Sequence, residues 1–191
     1  MDKKEIIAFF DGLASEWDDY NTRNEEVIAE ILSKGSIRNG ITILDVACGT
    51  GVLFPDYLKA GAEITGIDIS ENMVKTAREK FPEVHIICSD ATDFHFSEKF
   101  DVIMIYNAFP HFDEPEKLIK NLAEALRPCG RLSIAHGISE KKIAECHSGS
   151  AKNVSVPLVK KEVLADMLKP YLDVDTMISD DRMYMVSGVR R

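Results

Sequence analysis

The chain has 191 residues, of which 45% are hydrophobic and 29% are charged, as in an ordinary globular domain. Its formal net charge of -9 argues against binding to a phosphate backbone, which normally needs a basic stripe, so no nucleic-acid partner is expected. No apolar run approaches the roughly 18 residues of a membrane span. The first residues also lack the apolar core of a secretory signal. We therefore expect a cytoplasmic protein without membrane insertion.

The predicted elements alternate between helices and strands along the whole chain, without a repeat or a dividing linker. Ser70 is expected to cap a helix, and Pro115 to start another. The pattern predicts a doubly wound α/β sheet whose last two strands form a hairpin around a short polar turn. The predicted elements are helices at 3–14, 24–34, 52–60, 70–80, from 115, and 160–169, and strands at 41–46, 62–67, 84–88, 100–106, 131–135, 174–178 and 183–189, with a turn at 128–130.

A glycine turn between two apolar segments is the most informative feature of the chain. The run from Ile43 to Val46 suits a central parallel strand that is covered on both faces. Gly49 and Gly51 then let the backbone turn sharply and approach a ligand closely. A second strand ends at Asp68, where an open α/β sheet binds ligands and a carboxylate can accept hydrogen bonds from ribose hydroxyls. This arrangement predicts a nucleoside site.

Two residues indicate which class of cofactor, a dinucleotide or a sulfonium nucleoside, fits such a site better. A dinucleotide fingerprint places Gly or Ala three residues beyond the second glycine, and Phe54 stands there instead. Asp45, just before the turn, would repel a diphosphate and suits a cationic ligand such as a sulfonium with an α-amino group. The turn therefore favours a sulfonium nucleoside over a dinucleotide.

The segment from Asp45 to Gly51 resembles the first motif of the class I S-adenosylmethionine-dependent methyltransferases, acidic-x-Gly-x-Gly-x-Gly, with Ala47 in place of the first glycine. The likeness covers nearly the whole chain and points to the small-molecule branch that includes the ubiquinone and menaquinone biosynthesis methyltransferases. It implies S-adenosylmethionine as cofactor and a single domain over residues 1–191. It also implies a Rossmann-like, doubly wound, mostly parallel seven-stranded sheet with a C-terminal antiparallel hairpin.

The same resemblance assigns cofactor contacts to individual residues. It implies that the turn containing Ala47, Gly49 and Gly51 wraps the methionine part, preceded by Asp45, and that Asp68 holds the ribose. The remaining implied contacts are Ile69 and Met73 on the adenine faces, Asp90 and Ala91 beside its exocyclic amine, and Asn107 at the reacting centre.

The N-terminal region, residues 1–35, is expected to be a helical lid. The segment from Phe9 to Tyr20 is similar to the aromatic opening of small-molecule methyltransferases, which folds over the site, and Tyr20 is expected to contact the cofactor. Aromatic residues at helical spacing are more often the apolar stripe of a surface helix. We favour that interpretation for Phe9, Phe10 and Trp17, and the two roles are compatible.

The residues after the fourth strand bear on the acceptor. Amino-directed methyltransferases that act on adenine or glutamine carry Asn or Asp followed by two prolines and an aromatic residue. Here only Asn107 matches, because Ala108 and Phe109 replace the prolines. Together with the negative charge, this favours a small-molecule acceptor over a nucleobase or a protein amide.

Two histidines at the expected catalytic edge are the candidate catalytic residues. His111 follows the fourth strand and His136 ends the fifth, where an imidazole can remove a proton as the methyl group moves. A metal site with His147 remains an alternative, as does a purely structural role. The region 137–157 is expected to be an insertion on the substrate side.

Two other functions remain open from the sequence alone. An NAD-dependent oxidoreductase would use the same turn and Asp68, although Phe54 and the absence of a Tyr-x-x-x-Lys set count against it. A non-catalytic regulatory protein would bind the cofactor without transferring its methyl group. Retained cofactor binding without turnover would identify that second alternative.

Overall fold

A computed structural model describes residues 2–20, 23–147 and 151–191 of the chain, without the side chains of Tyr20 and His147. Within these residues the chain forms a seven-stranded sheet in the order β3-β2-β1-β4-β5-β7-β6. The first five strands are parallel to one another, and β7 pairs antiparallel with both β5 and β6. The predicted fold class is confirmed. The strands are β1 (Thr42–Val46), β2 (Glu63–Asp68), β3 (His85–Cys88), β4 (Phe100–Tyr106), β5 (Leu126–His136), β6 (Leu172–Ser179) and β7 (Tyr184–Arg190).

Helices cover both faces of this sheet. Alternate residues of β4 belong to different cores: Ile103 packs with α6 and α8, whereas Met104 packs with α3, α4 and α5. Burial on both faces explains why the central strands read as continuous apolar runs. The helices are α1 (Lys3–Leu13), α2 (Trp17–Tyr20), α3 (Glu25–Lys34), α4 (Phe54–Ala60), α5 (Glu71–Lys80), α6 (Pro115–Ala125), α7 (Glu140–His147) and α8 (Lys161–Leu168).

At the start of α3 and of α5, a side-chain cap fixes where the helix begins. The side chain of Asn24 accepts a hydrogen bond from the backbone of Val27 at the start of α3, and Ser70 does the same for Met73 at the start of α5. Because Ser70 follows Asp68, this cap fixes the direction in which the chain leaves the end of β2. None of the helices in the described ranges is long and apolar enough to cross a membrane.

Two segments differ from their predicted form. The expected turn at 128–130 is an irregularity within β5, because the ladder passes from Phe100 opposite Leu126 to Val102 opposite Arg131. Cys129 has a positive φ of 62° at this point. The expected insertion at 137–157 contains α7 and a short 3-10 turn at Lys152–Val154. That this segment is an insertion on the substrate side stays a prediction.

Candidate active site

A cleft lies at the carboxyl ends of the central parallel strands, where an open α/β sheet binds ligands. It encloses about 1120 Å³, part of which is open to solvent. The loops after β1, β2, β3 and β4 line it, and the N-terminal segment covers it. Nine of the residues predicted to form the site line this cleft: Ala47, Gly49, Asp68, Ile69, Met73, Asp90, Ala91, Asn107 and His111.

The loop after β1 turns through a series of left-handed residues. Ala47 has a φ of 54°, Gly49 of 54° and Gly51 of 84°. Gly51 does not line the cleft, and its role is internal, because a Cβ atom there would lie 2.7 Å from the ring of Phe54. Phe54 therefore fills the space behind the turn, which the third small residue of a dinucleotide fingerprint would leave open.

Asp68 joins the loops after β1 and β2. Its Oδ2 accepts a hydrogen bond from the backbone N–H of Gly49 at 2.8 Å, and its Oδ1 accepts one from Ser70 at 2.9 Å. Burial raises the pKa of this carboxyl, whereas the backbone hydrogen bonds favour its ionised form. Each oxygen has a second lone pair, and the side chain borders the cleft. The geometry fits a carboxylate that holds the two hydroxyls of a ribose.

The next part of the cleft suits a flat base with a polar edge. Ile69 and Met73 supply apolar surface beside Asp68, and Asp90 and Ala91 follow on the neighbouring loop. Asp90 accepts a hydrogen bond from the backbone of Thr92 at 2.8 Å through Oδ1. Its Oδ2 lies 2.6 Å from the ammonium of Lys3 on the N-terminal helix. An exocyclic amine would therefore meet an oriented carboxylate.

Asp45 does not line the cleft. It is 2% exposed near the end of β1, and burial, with the nearby charge of Asp68, raises its pKa to about 8. At neutral pH this carboxyl is mostly protonated, so the expected repulsion of a diphosphate by Asp45 is weaker than its sequence position suggested. The argument against a dinucleotide then depends mainly on Phe54.

The N-terminal aromatic residues contribute directly to the cleft. Phe10 and Trp17 line it and are partly buried, so the apolar stripe of this segment also forms part of the cleft wall. Their ring centres are 5.6 Å apart in an edge-to-face arrangement. Phe10 also packs edge-on against His111 at 4.9 Å. The predicted contact of Tyr20 falls on a side chain outside the described residues.

His111 faces the cleft in a defined tautomer. Its Nδ1 lies 2.8 Å from the carbonyl oxygen of Val154. A carbonyl only accepts, so Nδ1 carries a hydrogen and, in the neutral ring, Nε2 has the lone pair. Close by, the Asn107 side-chain oxygen accepts a hydrogen bond from the backbone of Gly137 at 2.9 Å. Both residues lie on the segment that leaves β4, beside Tyr106 and the ring of Phe112.

His136 is placed elsewhere. It is 2% exposed at the end of β5, where it pairs with Tyr184 of β7, and their ring centres are 6.0 Å apart. It does not line the cleft formed by the described residues. The side chain of His147, the third histidine of the alternative metal site, lies outside the described residues. Among the side chains that the structure describes, no three potential metal ligands come together.

The described part of the insertion at 137–157 also lies outside the cleft lining. It acts on the cleft through Val154, whose carbonyl orients His111, and through Val156, whose N–H donates to the carbonyl of Pro110 at 2.8 Å. These two contacts place the described part of the insertion behind the wall of the cleft that carries His111 and Phe112. Nothing in its sequence pattern indicated which residue it would contact.

Sequence reasoning missed two cations at the cleft, Lys3 and Arg23. The guanidinium of Arg23 contacts Glu25 at 2.9 Å and Asp56 at 2.8 Å, and it also donates to the carbonyl of Val52. These contacts attach the segment before α3 to the start of α4. The contacts with Val52 and Asp56 join residues about 30 positions apart in the chain, so no local pattern could have revealed them.

Comparison with known proteins agrees with this geometry. Residues 43–130 match the family described as a methyltransferase domain. The chain is 29% identical over 151 residues to a demethylmenaquinone methyltransferase of Renibacterium salmoninarum, a match that covers 71% of this chain and 60% of the relative. It is 27% identical to a ubiquinone biosynthesis O-methyltransferase of Coxiella burnetii, over 69% of this chain and 61% of the relative. The chain thus spans less than two thirds of the length of these relatives.

Solved structures give the same fold. A putative methyltransferase of Haloferax volcanii, in complex with the Trm112 methyltransferase activator, superposes with a TM-score of 0.81 at 17% identity over 95% of this chain and 97% of that one. The magnesium protoporphyrin IX methyltransferase of Synechocystis, with bound S-adenosylhomocysteine, superposes with a TM-score of 0.74 at 20% identity over the whole of both chains. These matches give no support to the oxidoreductase alternative. The predicted resemblance is confirmed: residues 43–130 match the methyltransferase-domain family, and the described chain has the fold of solved S-adenosylmethionine-dependent methyltransferases.

Proposed function

We propose that this chain transfers a methyl group from S-adenosylmethionine to a small, uncharged and largely apolar acceptor. The observation that supports it best is one continuous cleft that holds the ribose-type carboxylate of Asp68 and the imidazole of His111. The bound cofactor supplies a methyl group already activated on a sulfonium. The protein then has to hold the acceptor in line with that methyl group and exclude water.

The cofactor would occupy the side of the cleft formed by β1, β2 and β3. The loop at Ala47 and Gly49 would follow the methionine part, and Asp68 would hold the ribose. Ile69 and Met73 would cover the two faces of the adenine, and Asp90 and Ala91 would lie beside its exocyclic amine. Tyr20 would also contact the cofactor. Asn107 would stand between this side and the acceptor side.

The acceptor would occupy the opposite side, beside Phe10, His111 and Phe112. This wall is aromatic, and the cations that line the described cleft are both engaged by carboxylates. Lys3 lies 2.6 Å from Asp90, and Arg23 binds Glu25 and Asp56. A negatively charged acceptor would therefore find no uncompensated positive charge on these two residues. The names of the curated relatives, which act in quinone biosynthesis, agree with an apolar acceptor.

His111 is the candidate base for an acceptor that loses a proton, such as a phenol or a thiol. The hydrogen bond to Val154 directs the Nδ1 hydrogen away from the reaction and leaves the Nε2 lone pair on the neutral ring. Such a base contributes on the order of a hundredfold or more to a rate. We do not extend this role to His136, because it is buried beside Tyr184.

Calorimetry tests the cofactor part of the proposal. S-adenosylhomocysteine should bind far more tightly than NAD, and preferential binding of NAD would contradict the proposal. Labelled S-adenosylmethionine then tests the acceptor in a screen of neutral phenols, thiols and quinols against carboxylated analogues of the same size. Neutral compounds should be methylated faster. Tight cofactor binding with no turnover of any compound would favour the non-catalytic alternative.

A pair of variants separates base catalysis from positioning. His111→Asn retains a donor near Nδ1 for the Val154 carbonyl but lacks Nε2, whereas His111→Ala loses both groups. If Nε2 accepts the proton, both variants lose about a hundredfold or more in kcat, and the acidic limb of the pH profile disappears. If His111 only positions the acceptor, His111→Asn keeps most of the activity and the wild-type pH profile.

A further inference from the structure

Residues 3–20 are the part of the region 1–35 that precedes α3, and we call this part the lid. It contacts three separate loops of the cleft, with one anchor on each. Asp18 lies 2.6 Å from the hydroxyl of Thr50 on the loop after β1. Asp11 lies 2.6 Å from the hydroxyl of Ser70 after β2. Lys3 lies 2.6 Å from Asp90 after β3. These loops carry the proposed contacts to methionine, ribose and adenine, so the lid is aligned on the residues that would bind the cofactor.

Asp11 makes the most extensive of these contacts. Its carboxylate oxygen Oδ1 accepts hydrogen bonds from the Ser70 hydroxyl at 2.6 Å and from the backbone N–H of Asn72 at 3.1 Å. The side-chain amide of Asn72 returns a bond to the Asp11 carbonyl at 3.1 Å. The Asn72 N–H is in the first turn of α5, where N–H groups lack intrahelical acceptors and a negative charge is favourable. The lid therefore contributes a cap to the helix that follows Asp68.

The other two anchors include solvent-exposed ion pairs. The side chains of Lys3 and Asp90 are 38% and 20% exposed, and Asp18, whose side chain is 52% exposed, also pairs with Lys80. Ion pairs of this kind contribute little and are screened by salt.

Asp11 makes the largest number of hydrogen bonds among the three anchors. Ser70 and Thr50 are both buried, so the bond of Asp11 to the Ser70 hydroxyl and that of Asp18 to the Thr50 hydroxyl are shielded on the partner side. Asp11 adds two further hydrogen bonds with Asn72.

Apolar contacts also hold the lid. Within the described helix α1, Ile6 is buried, and the aromatic side chains that line the cleft are partly buried. The polar anchors add directional contacts, which tie the lid to defined positions on the three loops.

We infer that Asp11 is a positioning residue that holds the lid closed, so that the cofactor can enter and its product can leave only when the bonds to Ser70 and Asn72 break. The part that concerns the cofactor rests on the function proposed above. The closed position itself does not, because these contacts join residues of the chain to one another and involve no atom of a ligand. Loss of Asp11 should therefore open the lid even without a ligand and should shorten the residence of any bound product.

Trp17 reports on the lid directly. It is the single tryptophan of the chain and lies on the lid, and a Cβ atom built on Gly49 would lie 3.6 Å from its indole nitrogen. In the ligand-free protein, acrylamide should quench Trp17 more strongly in Asp11→Ala than in the wild type. Asp19→Ala is the matched control, since it removes an exposed carboxylate from the same lid and should leave quenching unchanged. Asp11→Asn, which keeps an acceptor oxygen, should fall between them.

Stopped-flow displacement of S-adenosylhomocysteine gives the second measurement. Its dissociation should be about tenfold faster from Asp11→Ala, in line with the loss of hydrogen bonds to a charged group. Equal quenching and equal dissociation rates for Asp11→Ala and Asp19→Ala would overturn the inference. So would a lower Tm of Asp11→Ala with unchanged quenching, because Asp11 would then only cap α5. If no variant binds S-adenosylhomocysteine, the proposed function fails, while quenching still decides the lid.

Discussion

The carboxylate of Asp68 lies 2.8 Å from the backbone nitrogen of Gly49 and thereby ties the end of β2 to the loop that follows β1. The same side chain reaches Ser70 through its other oxygen. A residue expected to bind a ribose thus also fixes the loop expected to bind the methionine part. Substitution at this position should affect both halves of the cofactor site together.

Asp68→Asn should weaken the binding of S-adenosylhomocysteine by about tenfold or more, because an amide has one acceptor oxygen where the carboxylate has two. One of the two backbone N–H groups would lose its partner, and the negative charge would be lost as well. Calorimetry measures the change. Glu63→Gln, an exposed substitution at the opposite end of β2, is the control and should bind like the wild type. Equal affinities for all three proteins would refute the ribose assignment.

The glycines at 51 and 40 form a second matched pair. Both have left-handed backbones, with φ of 84° and 76°. A Cβ atom at Gly51 would lie 2.7 Å from Phe54 and 2.9 Å from Phe81, whereas none of the described atoms lies within 4 Å at Gly40. Gly40→Ala should therefore cost about 1–2 kcal/mol of unfolding free energy from the backbone alone. Gly51→Ala should cost about 1–3 kcal/mol more from overpacking. Urea unfolding that gives equal losses would contradict the close packing of Phe54 against the turn.

Asp45 should make stability depend on pH. Its folded pKa is raised to about 8, while the unfolded carboxyl has its ordinary pKa near 4. Between these values the unfolded chain has lost a proton that the folded protein retains, so the free energy of unfolding falls as the pH rises from about 4 to 8. Asp45→Asn removes this contribution and should be more stable relative to the wild type at pH 8 than at pH 5. Some pH dependence should remain, because burial also raises the pKa of Asp68.

Urea unfolding at the two pH values measures this difference, with Asp19→Asn as the exposed control. The control and the wild type should show the same pH dependence. Parallel curves for Asp45→Asn and the wild type would mean that Asp45 keeps an ordinary pKa in the folded protein.

Ala47 is the place where the chain departs from the glycine of the family motif. Its φ of 54° is unfavourable for alanine by about 1–2 kcal/mol, whereas glycine adopts it freely but loses more entropy on folding. Ala47→Gly should therefore leave stability unchanged or raise it by up to about 1 kcal/mol. Ala123→Gly, in the interior of α6, should lower it by about 1 kcal/mol or more. Thermal unfolding compares the two, and similar losses would count against strain at Ala47.

Local patterns predicted much of the cofactor side but little of what covers it. Gly49 and Asp68 follow from two strands and a turn that lie close together in the chain, whereas the role of Met73 is implied only by the family resemblance. Lys3 contacts Asp90, and Phe10 contacts His111. Each contact joins segments that are about 90 or more residues apart in the chain. An amphipathic pattern shows that a helix has an apolar face, but it does not show which surface that face will cover.

The two candidate histidines illustrate the same limit. Both were assigned to the cleft because each follows or ends a parallel strand. His111 leaves β4 on a 3-10 turn that carries it to the cleft. His136 is still within β5, where pairing with Tyr184 continues the sheet and encloses its side chain. The sequence predicted the hairpin, but not that its pairing would reach the last residue of β5.

The position of β7 between β5 and β6 has a consequence for local opening of the sheet. Within the described sheet, β6 contacts the other strands through β7. Any fluctuation that releases β7 must also release β6, whereas β6 can detach while β7 keeps its bonds to β5. Amide hydrogen exchange should accordingly be no slower in β6 than in β7, so that this side of the sheet opens from its outer edge inward.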